Sequence, residues 1–270
     1  MNEELKKELN VKQIFDISFQ VYKKNFFLIF NYLLGINVII WLLEIIFIIF
    51  IYLNISEGFY IGRNIVRMLI RPILTGSTVI VFTSMVESYF RNKVFGKRNF
   101  FYAHNVFLKY VITSILHSLI IAPLLIISWL SMLTNNATII VLTNFITLSV
   151  MIYIIINFIF YANIVSHVRF IWGLNSLRYS RLFVRGFFFK TFLIAIVAAA
   201  FWTIFTGILN FLVYTFVNLQ GIGRSMVLEF FSIHLYAYVS LTIATAYINR
   251  CNVLGGKMRY LILRGLKGLK

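Results

Sequence analysis

Six long apolar runs, almost free of charge, limit what this chain can fold into. Each exceeds the roughly 20 residues that a helix needs to cross a bilayer. In lipid every backbone polar group needs a partner within the protein, so a spanning chain forms a helix bundle or a closed barrel. Barrel strands would alternate over about ten residues, and these runs do not. We therefore expect an all-α polytopic transmembrane helix bundle with six spans: residues 26–53, 65–90, 108–133, 137–163, 187–217 and 226–249.

The distribution of basic residues orients these runs. The N-terminal segment and the second and fourth connections hold five Lys or Arg residues each, and the C-terminal segment from Arg250 onwards holds six, which leaves four of the 25 for the other connections. Short basic segments stay on the cytoplasmic side of a membrane, so both termini are predicted to be cytoplasmic. The predicted organisation is an interfacial amphipathic helix (1–25), a six-span domain (26–251) and a basic cytoplasmic tail (252–270).

The net charge of +17 arises from the same segments, in a chain that is 61% apolar and only 12% charged. A strongly basic chain can bind nucleic acid, but here the charge flanks the membrane in four places instead of covering one face of a soluble domain. We therefore expect no nucleic-acid partner. We expect the cytoplasmic face to attract anionic headgroups of membrane lipids.

A repeated motif precedes two of the runs. Residues 11–26 place apolar and polar side chains on opposite helical faces, which predicts an amphipathic helix in the cytoplasmic interface. The segments 18–27 and 180–189 both read S-x4-[KR]-x-x-F-F, and a looser copy contains Lys97, Arg98, Phe100 and Phe101. The three positions predict three repeated helical hairpins, each introduced by an interfacial helix. Alternatively, basic residues followed by aromatic residues mark any cytoplasmic boundary.

Three segments carry a family resemblance: FDISFQVYKKNFFLIFNYLLGI from residue 15, the turn from Pro72 to Gly76 in RPILTGS, and GLNSLRYSRLFVRGFFFKTFLIAI from residue 173. They resemble the bacterial six-span family that forms the membrane domain of some glycerophosphoryl diester phosphodiesterases and also occurs as stand-alone proteins. The resemblance implies a multi-pass protein of the bacterial plasma membrane. It implies no phosphodiesterase activity, because the fused enzymes carry their chemistry in a soluble barrel domain that these residues do not contain.

Charged side chains inside the runs are predicted to form one cluster. Glu44, Arg71 and Glu229 fall at a similar depth in the outer half of the membrane. We expect Glu44 to pair with Arg67 or Arg71, with Glu229 and His234 close by. Three interpretations stay open: pairing that neutralises the charges, a path for protons or substrate, and separate snorkelling to the surface.

Two basic groups are candidate contacts for an anionic lipid or an acidic partner. Arg178, Arg181 and Arg185 occupy a narrow helical stripe before the fifth run, and guanidinium groups hold phosphate oxygens in bidentate fashion. Lys23 and Lys24 occupy the corresponding boundary before the first run. The alternative for the arginine stripe is that it serves only to orient the chain.

Motifs typical of enzymes do not occur in the sequence. It has no P-loop, nucleophile elbow or HExxH, and its four histidines lie in separate segments, so we expect no cofactor and no metal site. The scarcity of charge within the runs favours a non-enzymatic accessory, scaffold or lipid-interacting protein. The alternatives are a transporter or permease subunit that works with other membrane or ATPase subunits, and a membrane enzyme acting on lipids.

Overall fold

The computed structural model describes residues 8–52, 71–91, 93, 95, 97–134, 136–168, 171–216 and 222–255. Within these ranges the secondary structure is helical and no residue lies in a strand, which confirms the all-α prediction for this part of the chain. In chain order the helices are α1 (Val11–Lys24), α2 (Phe26–Tyr52), α3 (Arg71–Phe90), α4 (Lys97–Met132), α5 (Ala137–Phe158), α6 (Tyr161–His167), α7 (Leu174–Val184), α8 (Phe188–Phe216) and α9 (Ile222–Leu254).

Five segments in the described residues are long and apolar enough to cross a membrane: Phe26–Leu43, Val106–Met132, Ala137–His167, Phe188–Thr215 and Phe230–Leu254. The architecture is that of a helical membrane bundle. The predicted second span is described only from Arg71, and its apolar part, Thr78–Phe90, is shorter than a membrane crossing requires. The sixth crossing therefore stays a prediction.

Helix α9 lies at the centre of the bundle. It packs against α3, α8, α1 and α2. Of its apolar segment 56% is buried, compared with 6% for that of α4, so α9 is a core helix and α4 a peripheral one. Large apolar side chains on α4, α5 and α8 are exposed. Surfaces of this kind are suited to contact the hydrocarbon chains of lipids.

Helix α1 has one buried face. Asn10 and Gln13 form a capping box at its start, in which each side chain accepts a hydrogen bond of 2.8 Å from the backbone N–H of the other. The buried side chains are Ile14, Ser18 and Val21. Their spacing of three and four residues places them on a single helical face.

Contacts with α9 fix this buried face of α1 to the bundle. The Oγ of Ser18 is hydrogen-bonded to Thr245 Oγ1 at 3.0 Å. The hydroxyl of Tyr238 donates to the carbonyl of Phe15 at 3.2 Å. Just before α1, the N–H of Leu9 donates to the side-chain carbonyl of Asn249 at 3.1 Å. The segment that precedes the first span is therefore docked onto the bundle along its length.

Two segments differ from the sequence-based expectations. Residues from Pro72 to Gly76 form no turn, because they belong to the continuous helix α3. Gly76 instead allows the side chain of Tyr110, on α4, to lie against the backbone of α3. A Cβ at Gly76 would be 1.7 Å from the hydroxyl oxygen of Tyr110. The predicted fourth span is also interrupted: α5 ends at Phe158, and α6 begins at Tyr161.

Candidate functional site

A short basic turn joins α7 to α8. Helix α7 ends at Val184, where the N–H of Arg185 donates to a carbonyl of the last helical turn at 3.1 Å. Gly186 follows with a φ of +79°, in the left-handed region that glycine adopts without steric penalty. The chain therefore changes direction within three residues, and α8 begins at Phe188. We call the segment 178–188 the arginine hinge.

The three arginines of the predicted stripe line a single cavity of about 600 Å³. Arg178, Arg181 and Arg185 are all exposed. Within the described part of the chain, no carboxylate forms an ion pair with any of them. The rest of the wall is formed by Tyr153, Asn157, Leu182, Val184, Gly186 and Phe188. The stripe read from the sequence is thus part of a concave basic surface between α5 and the arginine hinge.

A buried serine attaches the arginine hinge to the bundle. Ser180 is 0% exposed, and its hydroxyl donates to the carbonyl of Asn157 at 2.9 Å. The same oxygen accepts a hydrogen bond from the N–H of Phe160 at 3.2 Å. Both partners lie where α5 gives way to α6, so the hydroxyl satisfies backbone groups freed by the interruption. This contact fixes α7, and with it the arginines, against the end of α5.

Aromatic side chains border the arginine cavity on its apolar side. The rings of Tyr153 and Phe188 lie 5.9 Å apart, measured between centroids. Tyr153 is 52% exposed and belongs to the membrane-length segment Ala137–His167. Sequence reasoning missed Tyr153 and Asn157 as parts of this site. Their only signal was an i, i+4 spacing near the end of the fourth apolar run.

A second basic hinge joins α1 to α2 through the single residue Asn25. The Nδ2 of Asn25 donates to the carbonyl of Val21 at 2.9 Å and so caps the end of α1. Lys23 and Lys24 are exposed, and the ammonium of Lys24 lies 5.8 Å from the ring centroid of Tyr89. A cavity of about 660 Å³ is lined by Lys23, Lys24, Asn25, Phe26, Phe27, Leu28, Asn31 and Phe95. We call the segment 23–28 the lysine hinge.

The two hinges share their local construction. In each, a buried serine, Ser18 or Ser180, holds the short helix to the bundle. A long apolar helix then starts at the first residue of a Phe pair, and the second Phe is strongly exposed, 80% for Phe27 and 84% for Phe189. The motif S-x4-[KR]-x-x-F-F thus describes a short docked helix, a turn and the start of a span.

The looser third copy of the motif lies in a different backbone setting. Helix α4 begins at Lys97 and continues without interruption to Met132. Lys97 and Phe100 are therefore in the same helix as the apolar segment that follows them. The three-hairpin repeat stays a prediction, and only its first and last copies share a local structure.

The predicted outer charge cluster falls outside what the structure describes. Arg67 lies outside the described residues, and the side chains of Glu44, Arg71 and Glu229 lie outside the described side chains. Only His234 can be placed. Its ring lies 4.7 Å from that of Phe230 and 5.5 Å from that of Phe30, and its Nδ1 is 2.8 Å from the carbonyl of Phe230.

An ion pair links the N-terminal segment to α8 beside the arginine hinge. The Nζ of Lys190 donates to a carboxylate oxygen of Glu8 at 2.8 Å. This hydrogen bond is the main cause that lowers the pKa of Glu8 below its ordinary value of 4.5. Lys190 and Arg250 also lie over the ring of Phe187, at 5.0 and 4.6 Å from its centroid. Sequence reasoning did not single out Glu8.

The geometry of both hinges suits an anion at a membrane surface, because cations surround a cavity whose rim is aromatic. Neither hinge contains a nucleophile paired with a base among its lining residues. Comparison with known proteins adds no further constraint: no family model, curated protein or solved structure matches the chain.

Proposed function

We propose that the protein is a non-enzymatic, multi-pass protein of a bacterial plasma membrane that binds anionic phospholipid headgroups at its two basic hinges. In this proposal it serves as an accessory, scaffold or lipid-interacting subunit, and both termini are cytoplasmic. The observation that carries the proposal is the arginine cavity, in which three exposed guanidinium groups face one concave surface.

The charge of the arginine cavity supports binding of an anion. Each guanidinium group can donate two parallel hydrogen bonds to a phosphate. The arginines have no ion-pair partner within the described residues, whereas Lys190, a few residues further on, is paired with Glu8. Three neighbouring cations repel one another, so an anion in the cavity would relieve that repulsion.

The position of the cavity supports a lipid as the source of that anion. Two lining residues belong to segments long and apolar enough to cross a membrane: Phe188 is the first residue of one, and Tyr153 lies within another. Phe189, the residue after Phe188, is 84% exposed, so a large apolar side chain is available to contact lipid. An acyl chain could follow these aromatic side chains while its headgroup contacts the arginines.

Lipid retention during purification tests the proposal. The protein would be purified in mild detergent, and the bound phospholipid would be quantified by mass spectrometry. We expect copurifying anionic lipid to fall severalfold in Arg178→Gln/Arg181→Gln. A matched control, Lys12→Gln/Lys93→Gln, removes two exposed charges outside both hinges and should retain the wild-type amount. Equal lipid loss in the two variants would count against a specific site.

A transporter or permease subunit that works with a separate ATPase is the second candidate. The observation that favours it is hydrogen bonding inside the bundle, where the buried Asn163 donates to Thr83 Oγ1 at 2.8 Å and Ser114 lies 3.1 Å from the hydroxyl of Tyr161. Polar groups on facing helices are typical of transport pathways as well as of packing. Copurification of an ATPase subunit with the tagged protein would support this candidate.

A further inference from the structure

We infer that the arginine hinge selects lipids that carry two phosphate groups in one molecule over lipids that carry a single phosphodiester. This inference rests on the proposed function, because it names the ligand class of the same cavity. It concerns only Arg178, Arg181 and Arg185, and it distinguishes their cavity from that of the lysine hinge.

The spacing of the arginines favours two phosphates over one. Arg178 and Arg181 lie one turn apart on α7, about 4.5 Å along its axis at 1.5 Å per residue, whereas Arg185 lies beyond Val184, the last helical residue. Two neighbouring guanidinium groups can hold a single phosphate between them. All three would reach one phosphate only by converging, which costs side-chain entropy and increases like-charge repulsion. A second phosphate would let Arg185 bind without convergence.

The charge of the cavity supports the same conclusion. Its volume of about 600 Å³ leaves room for two phosphate groups, as does the lysine-hinge cavity of about 660 Å³, so volume does not distinguish the two. Within the described residues its three positive charges have no ion-pair partner, so a single phosphodiester would leave most of that charge uncompensated. Two phosphates joined directly, or through a short linker such as glycerol, match both the length of the stripe and its charge.

The lysine hinge differs from the arginine hinge in the geometry of its cations. Lys23 and Lys24 are adjacent in sequence, and each ammonium is a compact point charge without a planar fork. Lys24 also lies over the ring of Tyr89. This arrangement gives general attraction for anionic headgroups, and we expect little preference for the number of phosphates.

Native mass spectrometry of the purified full-length protein tests the inference. The probes are phosphatidylglycerol, cardiolipin, a polyprenyl diphosphate lipid and inorganic pyrophosphate. We expect both two-phosphate lipids to bind on the order of tenfold more tightly than phosphatidylglycerol. In the variant Arg178→Lys/Arg181→Lys/Arg185→Lys, which keeps the charge and the orientation signal, this ratio should fall towards one. In Lys12→Gln/Lys93→Gln, which removes two exposed charges outside both hinges, the ratio should stay at the wild-type value.

The outcomes separate this inference from the proposed function. If phosphatidylglycerol binds as tightly as the two-phosphate lipids, and binding still depends on the arginines, the selectivity is overturned while lipid binding stands. If no lipid depends on the arginines, both are overturned. Inorganic pyrophosphate that binds as tightly as the lipids would overturn the assignment to a lipid and indicate a soluble diphosphate. A lysine variant that keeps the full ratio would overturn the assignment of the selectivity to the guanidinium groups.

Discussion

At the residue scale, a glycine allows α3 and α4 to approach each other closely. The hydroxyl end of Tyr110 lies against the backbone of Gly76, where a Cβ would be 1.7 Å from the hydroxyl oxygen. Tyr110 is only 4% exposed, and its ring stacks on that of Tyr161 with centroids 6.2 Å apart. The tyrosine therefore has little freedom to move away from a new methyl group.

The substitution Gly76→Ala tests this packing. We expect it to destabilise the protein by about 1–3 kcal/mol, because it overpacks a buried contact. The control is Gly207→Ala in α8, where no atom lies within 4 Å of the added Cβ. That change should be neutral or slightly stabilising, because alanine favours a helix. The measurement is thermal unfolding in detergent, and equal melting temperatures for the two variants would contradict the prediction.

The ion pair between Glu8 and Lys190 should make the attachment of the N-terminal segment depend on pH. Its pKa lies below the ordinary value of 4.5, so the folded state favours the carboxylate. The pair with Lys190 therefore contributes stability above about pH 4.5, and that contribution is lost as pH falls through the lowered pKa. Both side chains are partly exposed, so we expect no more than about 1 kcal/mol.

The substitution Glu8→Gln should lower the melting temperature slightly at neutral pH, and the difference from wild type should shrink as the pH falls through the lowered pKa of the wild-type carboxyl. A double-mutant cycle with Lys190→Gln supplies the control, because the second substitution should cost less once the first is present. Additive losses in the double variant would show that the two side chains act independently.

At the scale of helices, the sequence predicted where a helix begins better than where a helix is interrupted. Helices α2 and α5 begin at Phe26 and Ala137, where the predictions placed them, because polar residues give way abruptly to apolar ones. The interruption between α5 and α6 had no such signal, since it is stabilised by Ser180, about 20 residues further along the chain. The arginine stripe followed from helical spacing alone, but the opposite wall of its cavity comes from another helix.

The substitution Ser180→Ala tests whether that serine holds the arginine hinge in place. It leaves the buried N–H of Phe160 without its partner, and we expect a loss of about 1–3 kcal/mol in unfolding free energy. Ser149→Ala is the control, because Ser149 is exposed and its hydroxyl donates to the Phe145 carbonyl within its own helix. Denaturant unfolding in detergent measures both, and lipid retention should fall only in the first variant.

At the scale of the whole molecule, the number of crossings and the distribution of charge constrain each other. With five crossings the two ends of the chain would lie on opposite sides of the membrane. The N-terminal segment and the C-terminal segment from Arg250 onwards are both basic, with five and six Lys or Arg residues, and such segments stay on the cytoplasmic side. An even number of crossings satisfies this rule, so we expect the segment 65–90 to cross as the sixth.

Single-cysteine labelling measures the number of crossings directly. In a Cys251→Ser background, cysteines introduced at Lys12, at Asn136 between α4 and α5, and at Lys267 would be challenged with a membrane-impermeant thiol reagent in intact cells. Six crossings with cytoplasmic ends predict labelling at 136 only, and labelling at 12 and 267 only after the membrane is permeabilised. Labelling of 267 but not of 12 in intact cells would establish an odd number of crossings. In that case α3 would be a buried core helix that does not span, which its apolar length of Thr78–Phe90 would allow.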